Sequence, residues 1–536
     1  STNSDHRLTT PLIRDKDDQR QLLGSDWGSA LAIAAEAIQQ AGPERVGLIG
    51  GSRLTNEDAY AWSKFAKSVL GTDNVDAQLG DGLPAEIVLA LPLATIAEAC
   101  NADTVLVVGP DIKEELAILH LRLRGAATKG RTKVVEIGPT PTGIEPYAHR
   151  SIRCAPGETA KVLDELLGSD DPLAKQLKEG SLVVVIGRAS LAESEEPTLS
   201  LAATIRAELP QATFLPALRR GNVRGALDMG LAPGILPGRT RLNQPTSALS
   251  ENWNTVPTSK GLNTTEMLRA AASGDLDTLI LIGADPLSDF PDRNLAAEAI
   301  QKVKTLIAVD TFVTDSVAQA DVVLPATAYG EQGGTTTNIE GRISRLTQKI
   351  TSPGSTRDDW MIATELAWRL GGDLALGSKE EIWREIERVA PSHSDVTLER
   401  VESSEAHEGI LVQRSSIELD LPAPATPPVA DGYGLRLVSG RKLWDAATAT
   451  TYSPSLQPLA EAPTLRVHPN DLQRLGISSG ADVRVISTRS TEIITAIADE
   501  NIERGTAMLP FNQPGGGANR FIDADAMVND IRIETV

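Results

Sequence analysis

The chain has 536 residues, room for three or four units at ~150 residues per domain. Its apolar content is 41% with only 3% aromatic, so sizeable cores can form, built mainly from Ala, Leu, Val and Ile. Its 51 basic and 72 acidic residues leave a formal net charge of −21, which repels phosphate backbones, excludes nucleic acid as a natural partner and suits docking on a basic surface.

In chain order, Ser1-Thr2-Asn3-Ser4-Asp5 has neither a basic nor an apolar stretch and is not expected to be a signal peptide. It has no initiator Met, so a processed chain or part of a longer polypeptide is expected. The first strand is expected at Val46-Gly47-Leu48-Ile49-Gly50, running into Gly51-Ser52, with a helix from about Asn56 that places Trp62, Phe65, Ala66 and Val69 on one face. Cys100 and Cys154 are the only cysteines, too few for a disulfide framework or for a cluster needing ~four thiolates, and are expected to be lone buried residues.

An internal echo follows. Asp103-Thr104-Val105-Leu106-Val107-Val108-Gly109-Pro110-Asp111 resembles Asp277-Thr278-Leu279-Ile280-Leu281-Ile282-Gly283-Ala284-Asp285. Each run predicts a buried strand ending in Gly, one residue, then Asp. A helix and another strand come next, Lys133–Gly138 in the first copy and Leu306–Asp310 in the second, at nearly the same spacing. Two related βαβ lobes are the simplest explanation. Leu182–Gly187 and Asp321–Pro325 predict further strands, the latter stopped by proline. Residues 421–428 form a proline-rich linker, after which short β-type runs at Leu435–Val438, Thr464–Val467, Asp482–Ile486 and Thr506–Leu509 predict an all-β module, a barrel. The expected segments are a first α/β lobe over 1–215, a second over 216–400, a linker over 401–430 and a barrel over 431–536. No run approaches the ~18 apolar residues of a membrane span.

The Gly-X-Asp loops sit where open α/β sheets bind ligands, at the carboxyl ends of parallel strands. They could hold a nucleotide-type ligand, or only supply tight turns and helix caps. The end of the next strand is where dinucleotide folds place an acidic ribose acceptor; Asp310 stands there in the second lobe, but Gly138 in the first has no acceptor side chain. The stretch Gly333-Gly334-Thr335-Thr336-Thr337-Asn338-Ile339-Glu340-Gly341-Arg342 reads as a polar cradle or as a surface loop with a hairpin turn. The six histidines are scattered, and no H-E-x-x-H, C-x-x-C, Walker A or G-x-S-x-G pattern occurs. Acidic pairs such as Glu114-Glu115 and Glu380-Glu381 read as solvated faces.

Several stretches resemble the molybdopterin oxidoreductase family, to which formate dehydrogenases belong. They are Arg7–Arg14, Gly50–Glu57, Gly283-Ala284-Asp285-Pro286 and, most specifically, Val309–Pro325 continuing through Glu331–Arg342. The C-terminal module resembles the family's dinucleotide-binding barrel through Gly440-Arg441, His468–Asp471, Leu475-Gly476-Ile477 and Gly480. The resemblance implies two doubly wound α/β lobes, formate dehydrogenase/DMSO reductase-like, and a double-psi-type barrel. Asn74–Ala85, Gly440–Asp445 and the tail from Asn512 are similar, within this family, to the G subunits of NADH-quinone oxidoreductases of actinobacterial type.

That likeness implies a peripheral-arm component at the cytoplasmic side of the membrane, without membrane insertion, with iron–sulfur clusters carried by N-terminal domains outside this sequence. The family's metal-ligating Cys, selenocysteine, Ser or Asp falls here at Gly82, beside Asp81, and its Asp-Pro-Arg appears as Gly138-Pro139-Thr140. Asp111 and Asp285 replace a loop Asn and would direct negative charge toward a pyrophosphate. The resemblance therefore implies no catalytic residue, no metal ligand and a body without its own cofactor. The alternatives are an active molybdenum or tungsten bis-pterin oxidoreductase and a vestigial nucleotide or pterin module. The cofactor-contact positions, retained or vestigial, are Gly50, Ser52, Asn56, Gly109, Asp111, Gly283, Asp285, Asp310, Thr311, Asn338 and Arg441, with molybdopterin guanine dinucleotide as the candidate ligand.

Overall fold

The computed structural model describes residues 6–15, 21–413, 417–429 and 434–536. The N-terminal Ser1–Asp5, part of the expected linker (414–416 and 430) and the expected first residues of the barrel (431–433) lie outside the described residues.

The chain forms two compact units. One comprises Ser1–Gly80, Arg220–Phe290 and Leu295–Glu418; the other comprises Asp81–Arg219, Pro291–Asn294 and Leu419–Val536.

The first unit is organised on a seven-stranded sheet in the order Leu22–Gly24, Leu12–Arg14, Val322–Pro325, Thr305–Asp310, Thr278–Ile282, Val46–Gly50, Val75–Asp76. The last five run parallel, and Leu12–Arg14 and Leu22–Gly24 close one edge antiparallel. Every residue of Val46–Gly50 and Thr278–Ile282 is buried, as expected of parallel strands covered on both faces. The helix Asn56–Lys64 is buried throughout, charged residues included, and its N-cap Thr55 accepts from the amide of Asp58. The stretch 334–346 is a hairpin, Gly334–Thr337 paired with Arg342–Leu346.

The second unit contains a five-stranded parallel sheet, Arg150–Arg153, Lys133–Gly138, Thr104–Val108, Leu182–Ile186, Thr213–Pro216. It also contains a closed six-stranded barrel of Leu435–Val438, Thr506–Met508, Leu465–Val467, Thr491–Ala498, Asp482–Ile486 and Asp530–Thr535. Leu437, Val467, Val483, Val485, Ala507 and Phe521 fill the barrel core, with polar neighbours alternating outward along Asp482–Ile486.

The internal echo is real in three dimensions: Thr104–Val108 and Thr278–Ile282 each lie between two parallel neighbours, one of them the following strand of its copy. The units nevertheless differ from the expected segments 1–215 and 216–400. Val46–Gly50 pairs with Thr278–Ile282 in register, Ile282 opposite Gly50, so the first 80 residues fold with the later lobe. The barrel falls in the same unit as residues 81–219. A fully buried strand needs hydrogen-bonded neighbours on both sides, and parallel neighbours are reached by crossovers that can span any length of chain.

Among the described residues, no helix is long and apolar enough to cross a membrane. Cys100 and Cys154 are buried and unpaired.

Candidate functional site

In the first unit, three parallel strands end side by side. Ile282 lies opposite both Gly50 and Val309; the Gly51 amide donates to Ile282 O and the Gly283 amide to Val309 O. Gly50 has φ +116°, and a Cβ there would sit 2.2 Å from Ile282 O, so the turn admits only glycine. Gly283, at φ +56°, faces open space where its Cβ would be.

Asp310 completes this row. Its Oδ1 accepts from the amides of Thr311, at 2.5 Å, and Phe312, at 3.3 Å. Its Oδ2 is buried and has no hydrogen-bond partner. Burial pushes the carboxyl up to about 6, against the pull of the Arg53 guanidinium. Arg53 itself pairs with Asp289 at 2.8 Å. Thr311, half-buried, has its carbonyl engaged by the Leu8 amide and the Arg7 side chain.

The other expected positions in this unit are occupied by internal contacts. Asp285 does not direct its charge outward; its carboxylate accepts from the Ser316 hydroxyl at 2.5 Å and the Ser316 amide at 3.2 Å, and burial raises its pKa. Asn56 donates to the hydroxyls of Thr335 and Thr337, each at 3.0 Å, and accepts from Asn222 at 3.0 Å. Asn222 also takes the Ser52 carbonyl through its amide. Asn338 is exposed at the hairpin tip, where its Oδ1 accepts from the amides of Glu340 and Arg342. The threonines of this hairpin thus lock it to the buried helix Asn56–Lys64, and the polar run forms the hairpin turn of the second reading, with Asn338 exposed at its tip.

In the second unit, Gly109 follows strand Thr104–Val108 next to Gly187, and a Cβ on it would lie 3.2 Å from the Gly187 nitrogen. Asp111 caps the short helix Ile112–Glu115 by accepting from the Lys113 amide, and also accepts from the Gly143 amide. Its charge is therefore spent on two backbone donors. Gly138 ends its strand without a side chain to offer.

Arg441 stands in a buried lattice of charge. Its guanidinium is 3.2 Å from Asp81 and 3.8 Å from Asp445, and lies over the Phe511 ring at 4.2 Å. Arg219 joins the lattice, 3.0 Å from Asp445 and 3.9 Å from Glu115. The reading of Glu114-Glu115 as a solvated pair fails for Glu115: its side chain is 9% exposed, and desolvation raises its pKa against Arg219 and Arg441. Arg219 and Phe511 were not singled out from sequence; Arg53 and Asp445 lay only within the runs Gly50–Glu57 and Gly440–Asp445, and Glu115 only in a pair read as solvated.

Residues 7–369 match the family model described as molybdopterin oxidoreductase, and residues 435–531 match that of the molydopterin dinucleotide binding domain. The chain belongs to the molybdopterin oxidoreductase family. Family relatives include NADPH-Fe(3+) oxidoreductase subunit alpha of Geobacter sulfurreducens, 27% identical across 99% of this chain and 68% of that one. F420-dependent formate dehydrogenase 1 subunit alpha of Methanococcus maripaludis is 27% identical across 96% of this chain and 88% of its own. The G subunit of NADH-quinone oxidoreductase from Mycobacterium tuberculosis is 28% identical across 96% of this chain, which spans 62% of that relative's length. Acetylene hydratase from Pelobacter acetylenicus shares the fold, with a TM-score of 0.67 at 16% identity, covering 100% of this chain and 93% of that one.

Toward the dinucleotide cofactor that the family name implies, the two units offer unequal chemistry. The orphaned Asp310 oxygen and the glycine-lined strand ends of the first unit fit an N–H or O–H donor of a nucleotide. The second unit does not fit a metal-bearing centre at Asp81-Gly82: glycine has no donor, and the neighbouring carboxylate is bound to Arg441. Among the described residues, no three His, Cys, Asp or Glu side chains come together in a metal-ligating group.

Proposed function

We infer that this chain is the molybdopterin-oxidoreductase-like body of the G subunit of an NADH-quinone oxidoreductase. In this reading it carries no catalytic group. It supports a path of iron–sulfur clusters, held by domains outside this sequence, that takes electrons from NADH to quinone. Its partners are other peripheral-arm subunits, and it sits at the cytoplasmic face of the membrane without inserting.

The observation that carries this reading is the Arg441–Asp81 ion pair beside Gly82. A carboxylate already neutralised by a buried guanidinium is a poor metal ligand, because freeing it would strand the arginine. The likeness to the Mycobacterium tuberculosis G subunit over 96% of the chain supports the assignment within the family. A second reading, an active formate dehydrogenase-like bis-pterin oxidoreductase, draws support from the open acceptor on Asp310 and from the Methanococcus relative.

The test is elemental mass spectrometry for molybdenum and tungsten on the purified full-length protein, with pterin released by acid oxidation of the same sample. The host must be one that makes the cofactor. Absence of both is expected. Metal and pterin near one and two per chain would replace the scaffold by an active oxidoreductase.

A further inference from the structure

One surface of the second unit runs against the charge of the whole chain. Between Leu116 and Val135 there is no acidic residue, while Arg122, Arg124, Lys129, Arg131 and Lys133 are basic. Most of this stretch is the helix Ala117–Thr128, which buries Leu119, His120, Leu123 and Ala126. On the opposite, solvent side Ile118, Leu121 and Gly125 follow one another at i, i+3, i+7, the spacing of a helix–helix seam. Ile118 is 70% exposed and Leu121 50%. Nothing lies within 4 Å of where a Cβ on Gly125 would be, so a partner backbone could approach closely there.

Helical geometry places Arg122 on one flank of this seam and Arg124 on the other. Among the described residues no carboxylate pairs with Arg122, Arg124, Lys129 or Arg131. Arg124 lies over the Tyr147 ring at 5.6 Å, and nearby Glu145 is committed to Arg153 at 2.5 Å. In a chain with 72 acidic residues against 51 basic, unpaired arginines around an exposed aliphatic seam are positioned for an external anion. A point ligand such as phosphate would leave the aliphatic seam wet. Two aliphatic side chains are too few to hold a membrane surface, which takes a long apolar face.

We propose that the Ile118–Leu121–Gly125 seam with Arg122 and Arg124 is a docking surface for an amphipathic helix of a partner polypeptide. That helix has an apolar stripe flanked by Asp or Glu. The pairing is that of a two-helix seam, apolar residues meeting at the centre and opposite charges meeting at the flanks. This proposal stands whether or not the cofactor-free reading holds, since it uses none of the residues on which that reading rests.

The experiment places a photoreactive benzoylphenylalanine at Leu121 of the full chain in its native host, with exposed Glu179 as a control position, and maps the cross-linked peptide by mass spectrometry. The expected product is one peptide of another polypeptide, with acidic residues at helical spacing beside Leu, Ile or Val. Its yield should fall about tenfold in R122E/R124E and fall again at about 0.5 M salt. It should recover when the mapped acids are changed to Arg. An unchanged unfolding midpoint for R122E/R124E shows that the variant is folded. A cross-link no stronger than at Glu179, a lipid adduct, a peptide from a second copy of this chain, or a peptide without acidic flanks would each overturn the proposal.

Discussion

Arg441 and Asp81 are 360 residues apart in sequence and 3.2 Å apart in space. Arg441 is 2% exposed and its guanidinium is roofed by Phe511. The pair fixes the backbone at Asp81-Gly82 and consumes the one carboxylate next to the glycine. Breaking it leaves Asp81 and Asp445 buried with one cation fewer. Arg441→Met should therefore destabilise the protein by about 3–5 kcal/mol. Arg441→Lys should recover part of the loss, since it restores charge but not the planar fork or the full stack on Phe511. Urea unfolding of the three proteins measures this; equal midpoints would show that the lattice contributes nothing.

Asp310 holds a buried oxygen without a partner, so its ionised form is costly. Its folded pKa, about 6, lies above the ordinary 3.8. The stability this shift supplies is fully present below pH 3.8 and is lost as pH rises through about 6. Asp310→Asn keeps one oxygen for the Thr311 amide and removes the charge. At pH 8 it should be more stable than the parent by about 1–3 kcal/mol, and near pH 4 the two should be alike. Denaturation at both pH values decides it, and a variant less stable at pH 8 contradicts the account.

Glu57 and Glu193 are both buried and pushed up to about 7 by desolvation. Glu57 is held by Thr335 with Lys379 nearby, and Glu193 has Arg188 nearby. For each, the folded form binds its proton more tightly than the unfolded chain does, so stability falls as pH rises from 4.5 through about 7. Each should contribute about 3 kcal/mol to that decline. Glu57→Gln/Glu193→Gln should flatten the dependence of the unfolding midpoint on pH across this window.

Cys154 is buried among Glu193 and Glu158, and desolvation pushes its thiol up to about 12. The thiolate is the reactive form. Neither Cys154 nor the equally buried Cys100 should react with iodoacetamide at pH 8 in the native protein, while both should react in about 6 M guanidinium. Intact-mass measurement before and after unfolding counts the adducts.

The elements were legible wherever period and burial agree. Thr104–Val108, Thr278–Ile282, Leu182–Ile186 and Leu435–Val438 appear where apolar runs placed them. Barrel strand Thr491–Ala498 escaped because the Ile-Ile pair and the small residues of Thr-Glu-Ile-Ile-Thr-Ala-Ile-Ala blur the two-residue alternation. Asp530–Thr535 escaped because four of its six residues are charged or polar. Among the expected positions, Asp310 stands at the end of its strand, where the sequence pattern placed it. The roles of Asn56, Asp111 and Asp285 were not legible, because the type of a polar residue does not reveal which donor it will meet.

The sequence alone determined the inventory: parallel α/β strands, a C-terminal barrel, an echoed βαβ motif, and a Gly where the family resemblance implies a metal ligand. The first three follow from local patterning, which each segment carries with it, and the last from the family resemblance alone. Tertiary structure decided which sheet Val46–Gly50 joined, that Asp285 turns inward to Ser316, and that Glu115 is buried beside Arg219 rather than bathed in water. Such choices depend on partners far along the chain. Desolvating a strand or a charge is compensated only by the particular hydrogen bonds and counter-charges that the folded chain brings to it.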